Sequence, residues 1–125
     1  MPDRMGQSGR QRLPPCVRIR RRRDFEHALS HGARLADACL TVWAIPNQLA
    51  CARLGLVVGR KHGSAVRRNR LKRLLREAFR LTRPRLPAGL DFVCAPRFGT
   101  DMTLAECVES LTRLAERLAQ RLTTR

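Results

Sequence analysis

A small α+β layer protein is the fold the sequence predicts, and three observations predict it. Two long stretches, one central and one at the end, carry apolar residues at helical spacing behind capping residues. Short β-branched runs lie before and between them, closed by proline or glycine. At 125 residues the chain is long enough for one compact domain and too short for two. Hydrophobic residues make up 43%, but with four Phe, one Trp and no Tyr the core must be mainly aliphatic.

Residues 1–16, "MPDRMGQSGRQRLPPC", lack any periodicity and read as a disordered basic tail. A single α+β domain is expected over residues 17–122. It opens with "VRIRRRRDFEHALSHGARL", a basic run and a short helix. Asp24 is the expected N-cap, Phe25 and Leu29 share a face, and Gly32 supplies the stop. Cys39 to Ile45, "CLTVWAI", reads as a strand ended by Pro46, and "PNQLAC" as a turn. Arg53 to Val58, "RLGLVV", is a second strand, with a bulged start expected at Gly55.

The segment "GRKHG" forms a loop, and Ser64 caps a central helix running to about Arg83, where Pro84 and Pro87 end it. Asp91 to Ala95, "DFVCA", is a short buried strand between Gly89 and Pro96. Thr103 and Glu106 make a capping box. Leu104, Val108, Leu111, Ala115, Leu118 and Leu122 then form one apolar stripe. The order is helix, two or three strands, helix, strand, helix, with no internal repeat.

Charge is the dominant compositional fact. Lys and Arg total 26 against 10 acids, a formal net charge of +16. Self-repulsion on that scale disfavours a compact state, so an anionic partner is expected to offset it. The preference for Arg over Lys fits planar, bidentate phosphate recognition, and a GC-rich coding bias also accounts for part of it. No apolar run approaches membrane-spanning length, and the N-terminus lacks a signal-peptide core, so a cytoplasmic location without membrane partners is expected. Cys16, Cys39, Cys51, Cys94 and Cys107 contain no CxxC pair and sit near apolar runs, as buried free thiols do.

The central helix concentrates the charge. Leu71, Leu74, Leu75 and Ala78 fall on one side, and Lys72, Arg73, Arg76 and Arg80 on the other, with Arg70 on the flank. A solvated face explains part of this pattern. It does not explain Arg67, Arg68 and Arg70 in the opening turns, where the helix dipole makes each cation unfavourable by about 0.3–1 kcal/mol. Only Glu77 stands on this helix against eight Arg and Lys between Ala65 and Arg83. With Arg60 and Lys61 just before it, the helix start is built to meet phosphate. Asn69, between two arginines, either bonds a ribose or base edge or holds a neighbouring Arg. Phe25 and Trp43 are either core residues or rings on which unpaired bases stack. Phe92 and Phe98 read as core and rim.

The acids do not form a hydrolytic site. Asp24 and Glu26 lie on the first helix, and Glu106, Glu109 and Glu116 on the last. His27 and His31 have the spacing of a metal pair but lack the HExxH glutamate, so surface or capping roles fit them better and no protein-held metal is expected. His62 sits among cations, which disfavour its protonated form. Three alternatives differ in what they require. A general RNA-binding protein would lack partner selectivity, an autonomous nuclease would cleave alone, and a membrane-active helix would need the apolar stripe for lipid.

The string "LGLVVGRKHGSAVRRNRLKRLLREAF", Leu54 to Phe79, resembles the signature strand, loop and Arg-Asn-Arg helix of the bacterial ribonuclease P protein family. The resemblance extends to "RRDFEHALSHG", "DFVCAPR" and the final helix, about residues 17 to 120. It implies a two-layer α+β sandwich of a four-stranded sheet and three helices, in the order α-β-β-β-α-β-α. The crossover that joins two of its strands would be left-handed, against the usual rule. It also implies an endoribonuclease that works as a ribonucleoprotein. The catalytic groups and the Mg2+ ions would reside mainly on the RNA subunit, and no protein partner would be required. This chain would then bind the catalytic RNA and the 5′ leader of precursor tRNA. Carried over by position, Arg68, Asn69, Arg70, Lys72 and Arg73 match the RNA-facing helix, and Arg60 and Lys61 its basic loop. Arg67 and Arg76 complete the expected RNA-binding set. Phe25 matches a leader-cleft aromatic and Trp43 a second one. Leu29 stands where relatives often carry Phe, and "GRKHG" replaces a loop that is more often Lys-rich.

Overall fold

The computed structural model describes residues 18–99 and 101–123. The tail expected over residues 1–16, with Cys16, lies outside them. The elements are α1 (Arg22–His31), β1 (Ala33–Ala36), β2 (Leu40–Pro46), β3 (Arg53–Leu56), α2 (Ala65–Thr82), β4 (Leu90–Pro96) and α3 (Leu104–Thr123). Short 3-10 turns at Arg60–His62 and Arg83–Arg85 flank α2.

The four strands form one mixed sheet in the order β1-β2-β4-β3. β1 with β2 and β2 with β4 are antiparallel, whereas β3 and β4 are parallel neighbours joined through α2. β1 is the strand that the residue pattern did not resolve. Its "ARLA" alternates half-buried and exposed positions without the β-branched residues that mark a strand.

Period-two alternation divides the sheet into two faces. Leu40, Val42 and Ala44 of β2 join Leu90, Phe92 and Cys94 of β4 in the main core, under α2 and α3. Leu75, Ala78 and Phe79 come from α2, and Cys107, Leu111 and Leu118 from α3. The other face carries a smaller cluster of Ile19, Ala28, Ile45 and Val93, with Phe25, Trp43 and Val57 packed against it. α1 covers only part of that face.

Both long helices begin as their sequences dictate. Ser64 Oγ accepts the Arg67 N–H at 3.2 Å. The capping box closes in both directions, Thr103 Oγ1 with the Glu106 N–H at 3.1 Å and Glu106 Oε1 with the Thr103 N–H at 2.9 Å.

Two local expectations are corrected. Asp24 does not cap α1. The helix starts earlier, with Arg21 at the N-cap and no side-chain cap, and Asp24 sits in the first turn facing Arg53 of β3 at 3.4 Å. An acid there still suits the helix dipole. Gly55 marks no bulge either, because β3 pairs residue for residue with β4. A Cβ on Gly55 would stand 2.6 Å from Phe25 Cε1 and 3.1 Å from Ile19 Cδ1. The glycine makes room for an aromatic ring.

No disulfide joins the four described cysteines; Cys94 and Cys107 are buried as expected, whereas Cys39 and Cys51 are only half-buried. Burial pushes the Cys107 thiol up to about 12, and raises Cys94 further. Among the described residues, no helix is long and apolar enough to cross a membrane.

Candidate RNA interface

α2 presents its cations because its other side is committed to the core. Leu71, Leu75, Ala78, Phe79 and Thr82 are buried. That rotation leaves Asn69, Arg70 and Arg73 exposed and Lys72 and Arg76 half-exposed. Among the described residues, none of Arg60, Lys61, Arg70, Lys72, Arg73 or Arg76 has an acidic partner. Glu77 is engaged by Arg80 at 2.6 Å, so it neutralises none of them. The Asn69 amide forms no hydrogen bond with any described residue, which removes the local role of holding a neighbouring Arg.

The basic turn is a rigid extension of the helix start. His62 is buried; its Nδ1 accepts the Gly59 N–H at 3.0 Å, and its Nε2 lies 2.8 Å from the Pro96 carbonyl. A single neutral tautomer, Nε2–H donating to Pro96, satisfies both contacts. Gly63 has φ +117°, a conformation open essentially only to glycine, and its vacant Cβ position is taken by the stem of Arg67. Arg67 Nε donates to the His62 carbonyl at 3.0 Å and its Nη1 meets Asp101 at 3.2 Å. Arg68 Nε donates to the Gly63 carbonyl at 3.2 Å. Arg67 thus helps hold the turn. Arg68 is steered by the turn.

One cation in this field escaped the sequence reading. Arg18 forms an isolated parallel bridge with Leu54 at the outer edge of β3, and its Nε is buried without a hydrogen-bond partner. Arg76 of α2 is close enough to feel it. Burial first, and the Arg18 guanidinium second, hold the Arg76 pKa below the usual arginine value. These two guanidinium groups, which meet no acid among the described residues, extend the α2 stripe toward the opposite face. In the sequence, Arg18 was one residue of a basic run, and only the bridge to β3 distinguishes it.

The opposite face carries the predicted cleft aromatics. Phe25 lies over Gly55, and Trp43 stands on β2 with the Arg34 guanidinium 6.0 Å from its ring centroid. Both are half-buried against the same small cluster, so each is core on one side and surface on the other. Leu29 is 39% exposed on α1. A polar network sets the α1 position. Asp91, 3% exposed, takes both Arg53 Nε and Nη2 at 2.8 and 2.7 Å and the Asn47 amide at 2.7 Å, and Arg53 reaches on to Asp24.

No group of three or more His, Cys, Asp or Glu among the described residues could hold a metal ion. His27 and His31 pack ring against ring at 4.9 Å on the exposed side of α1. The described residues thus offer no such cluster for Mg2+.

A family model described as Ribonuclease P matches residues 13–119 of this sequence. The chain belongs to the ribonuclease P protein family. The ribonuclease P protein component of Pelotomaculum thermopropionicum is 39% identical over 100 residues, covering 79% of this chain and 89% of that protein. That of Syntrophus aciditrophicus is 38% identical over 112 residues, covering 89% and 94%. The ribonuclease P protein of Thermotoga maritima superposes with a TM-score of 0.73 at 37% identity, covering 80% of this chain and 96% of that one. The Staphylococcus aureus protein does so at 0.72 and 30% identity, covering 81% and 94%. As a ribonuclease P protein, the chain is one component of an endoribonuclease that matures the 5′ end of tRNA, and its partner is the ribonuclease P RNA.

Proposed function

We propose that α2 and its preceding turn bind the catalytic RNA, while the face beside α1 receives the 5′ leader of precursor tRNA. Arg60, Lys61, Arg68, Asn69, Arg70, Lys72, Arg73 and Arg76 make the RNA contacts, with Arg67 shaping the turn and Arg18 extending the field. Phe25 and Trp43 line the leader cleft. The observation that carries this reading is the α2 face itself: cations at its surface that meet no acid among the described residues, and an Asn amide that bonds none of them. Cations placed against a helix dipole and left unpaired are stabilised by phosphate. Neutralising backbone charge lets the two RNAs approach, and leader contacts favour precursor over mature tRNA. Magnesium belongs to the RNA side, because the described acids of this chain are dispersed.

The test compares protein alone, ribonuclease P RNA alone and both together on a labelled precursor tRNA at low magnesium. Correct 5′ cleavage is expected only with both. Cleavage by protein alone would place the chemistry on this chain. Binding to unrelated folded RNAs as tight as to ribonuclease P RNA would favour a general RNA-binding protein.

A further inference from the structure

The loop after β4 carries a ring that the reading above does not use. Phe98 is 63% exposed, in a chain with only four Phe, one Trp and no Tyr. Leaving a Phe in water forgoes about 1.5–3 kcal/mol of burial, so its position calls for another cause.

The His62 imidazole lies against the Phe98 ring, centroids 4.7 Å apart and planes at 53°. His62 is itself fixed by Gly59 and Pro96, at 3.0 and 2.8 Å. The loop is pinned beside the ring, where the Arg97 N–H donates to the Cys39 carbonyl at 2.9 Å. Cations surround this support. Arg97 precedes Phe98 in the chain and is exposed, Arg60 and Lys61 share the turn of His62, and Arg67 binds the His62 carbonyl. An exposed ring among cations is how proteins hold an unpaired nucleotide: the cations meet its phosphate and the ring meets its base.

We propose that Phe98 is a stacking platform for an unpaired base of the catalytic RNA, seated by His62 at the N-terminal end of α2. The assignment rests on the RNA-binding reading of α2. Its occupant is the catalytic RNA because Phe98 lies past the end of β4, joined to the basic turn. Phe25 and Trp43 belong to the separate cluster under α1. The exposed cations beside the ring disfavour a protein partner with a neutral apolar surface.

Affinity for ribonuclease P RNA, measured without precursor tRNA across a salt series, tests the assignment. Phe98→Ala and Phe98→Leu should each weaken binding about 5- to 150-fold, the value of one stacked base. The slope of log K against log salt should stay unchanged, and Phe98→Trp should restore affinity. Arg73→Ala, in contrast, should reduce that slope by about one. A photoreactive benzoylphenylalanine at position 98 should cross-link the catalytic RNA within the holoenzyme, which needs no truncating variant. Unchanged affinity in Phe98→Ala, full affinity in Phe98→Leu, or cross-links only to precursor tRNA would each overturn the proposal. If the wild type shows no preference for ribonuclease P RNA and Arg73→Ala leaves the slope unaltered, the reading of α2 itself fails.

Discussion

Individual residues on this protein are shaped by what passes close to them. Gly55 was legible as unusual for a strand, but its reason was not, because the ring that crosses it comes from Phe25, 30 positions earlier. Gly55→Ala should force the ring off its seat and destabilise the fold by about 1–3 kcal/mol, measurable by urea denaturation. In the holoenzyme, the same variant should narrow the preference for precursor over mature tRNA. Gly63 poses a backbone problem instead. At φ +117° any side chain is strained, and Gly63→Ala should cost about 1–3 kcal/mol and weaken binding of ribonuclease P RNA, since the turn it closes carries Arg60 and Lys61. Asn69 shows the reverse case. Its type and place were readable, whereas the lack of a hydrogen bond to any described residue follows only from the fold.

Elements were legible where periodicity was strong and illegible where tertiary contacts decide. The capping box of α3 and the amphipathic pattern of α2 could be read directly and match the structure. The α3 stripe matches in part: Leu111, Ala115 and Leu118 are buried, Leu104 is exposed, and Cys107, Leu114 and Ala119 complete the buried face. β1 could not be read, since "ARLA" becomes a strand only through pairing with β2. What fixes β1 and β2 to α3 is Asp37. Its Oδ1 accepts the Cys39 and Leu40 N–H groups at 2.8 and 2.9 Å, and its Oδ2 accepts Ser110 Oγ and Arg113 Nη2, each at 2.6 Å. Burial opposes the charge, yet hydrogen bonds from Ser110, Leu40, Cys39 and Arg113 together hold the carboxyl below its usual range. A lowered folded-state pKa gives stability that is complete above the unfolded value, about 3.9, and is lost as pH falls through the folded one. Asp37→Asn should therefore lower stability at pH 7 by about 1.5–3 kcal/mol and flatten its decline below about pH 4. Thermal melts of both proteins across that range provide the check. On the other face, Asp91→Ala would leave Arg53 buried without its main partner. A loss of about 3–5 kcal/mol is expected.

At the scale of the whole molecule, the formal charge of +16 was readable from composition, while its distribution was only half readable. The α2 face followed from helical spacing, but the meeting of Arg18 with Arg76 depends on an N-terminal segment lying along β3. Because this charge opposes compaction, polyvalent anions should stabilise the fold more than chloride at matched ionic strength. A rise in thermal midpoint with phosphate, diminished in an Arg18→Ala variant, is the expected result. The order of the strands has a further consequence, which concerns synthesis. Among the described residues, β4 is central in the sheet but last of the strands in the chain, and no other strand pairs with β3. As the polypeptide leaves the ribosome, the basic helix emerges before the strand that would anchor it, so the parallel β3–β4 pair must close late and over a long loop. A chain ending at residue 86 should remain largely unfolded by circular dichroism. Nascent protein would then present its cations, unshaped, to the ribosomal RNA around the tunnel exit before it could meet its own RNA partner.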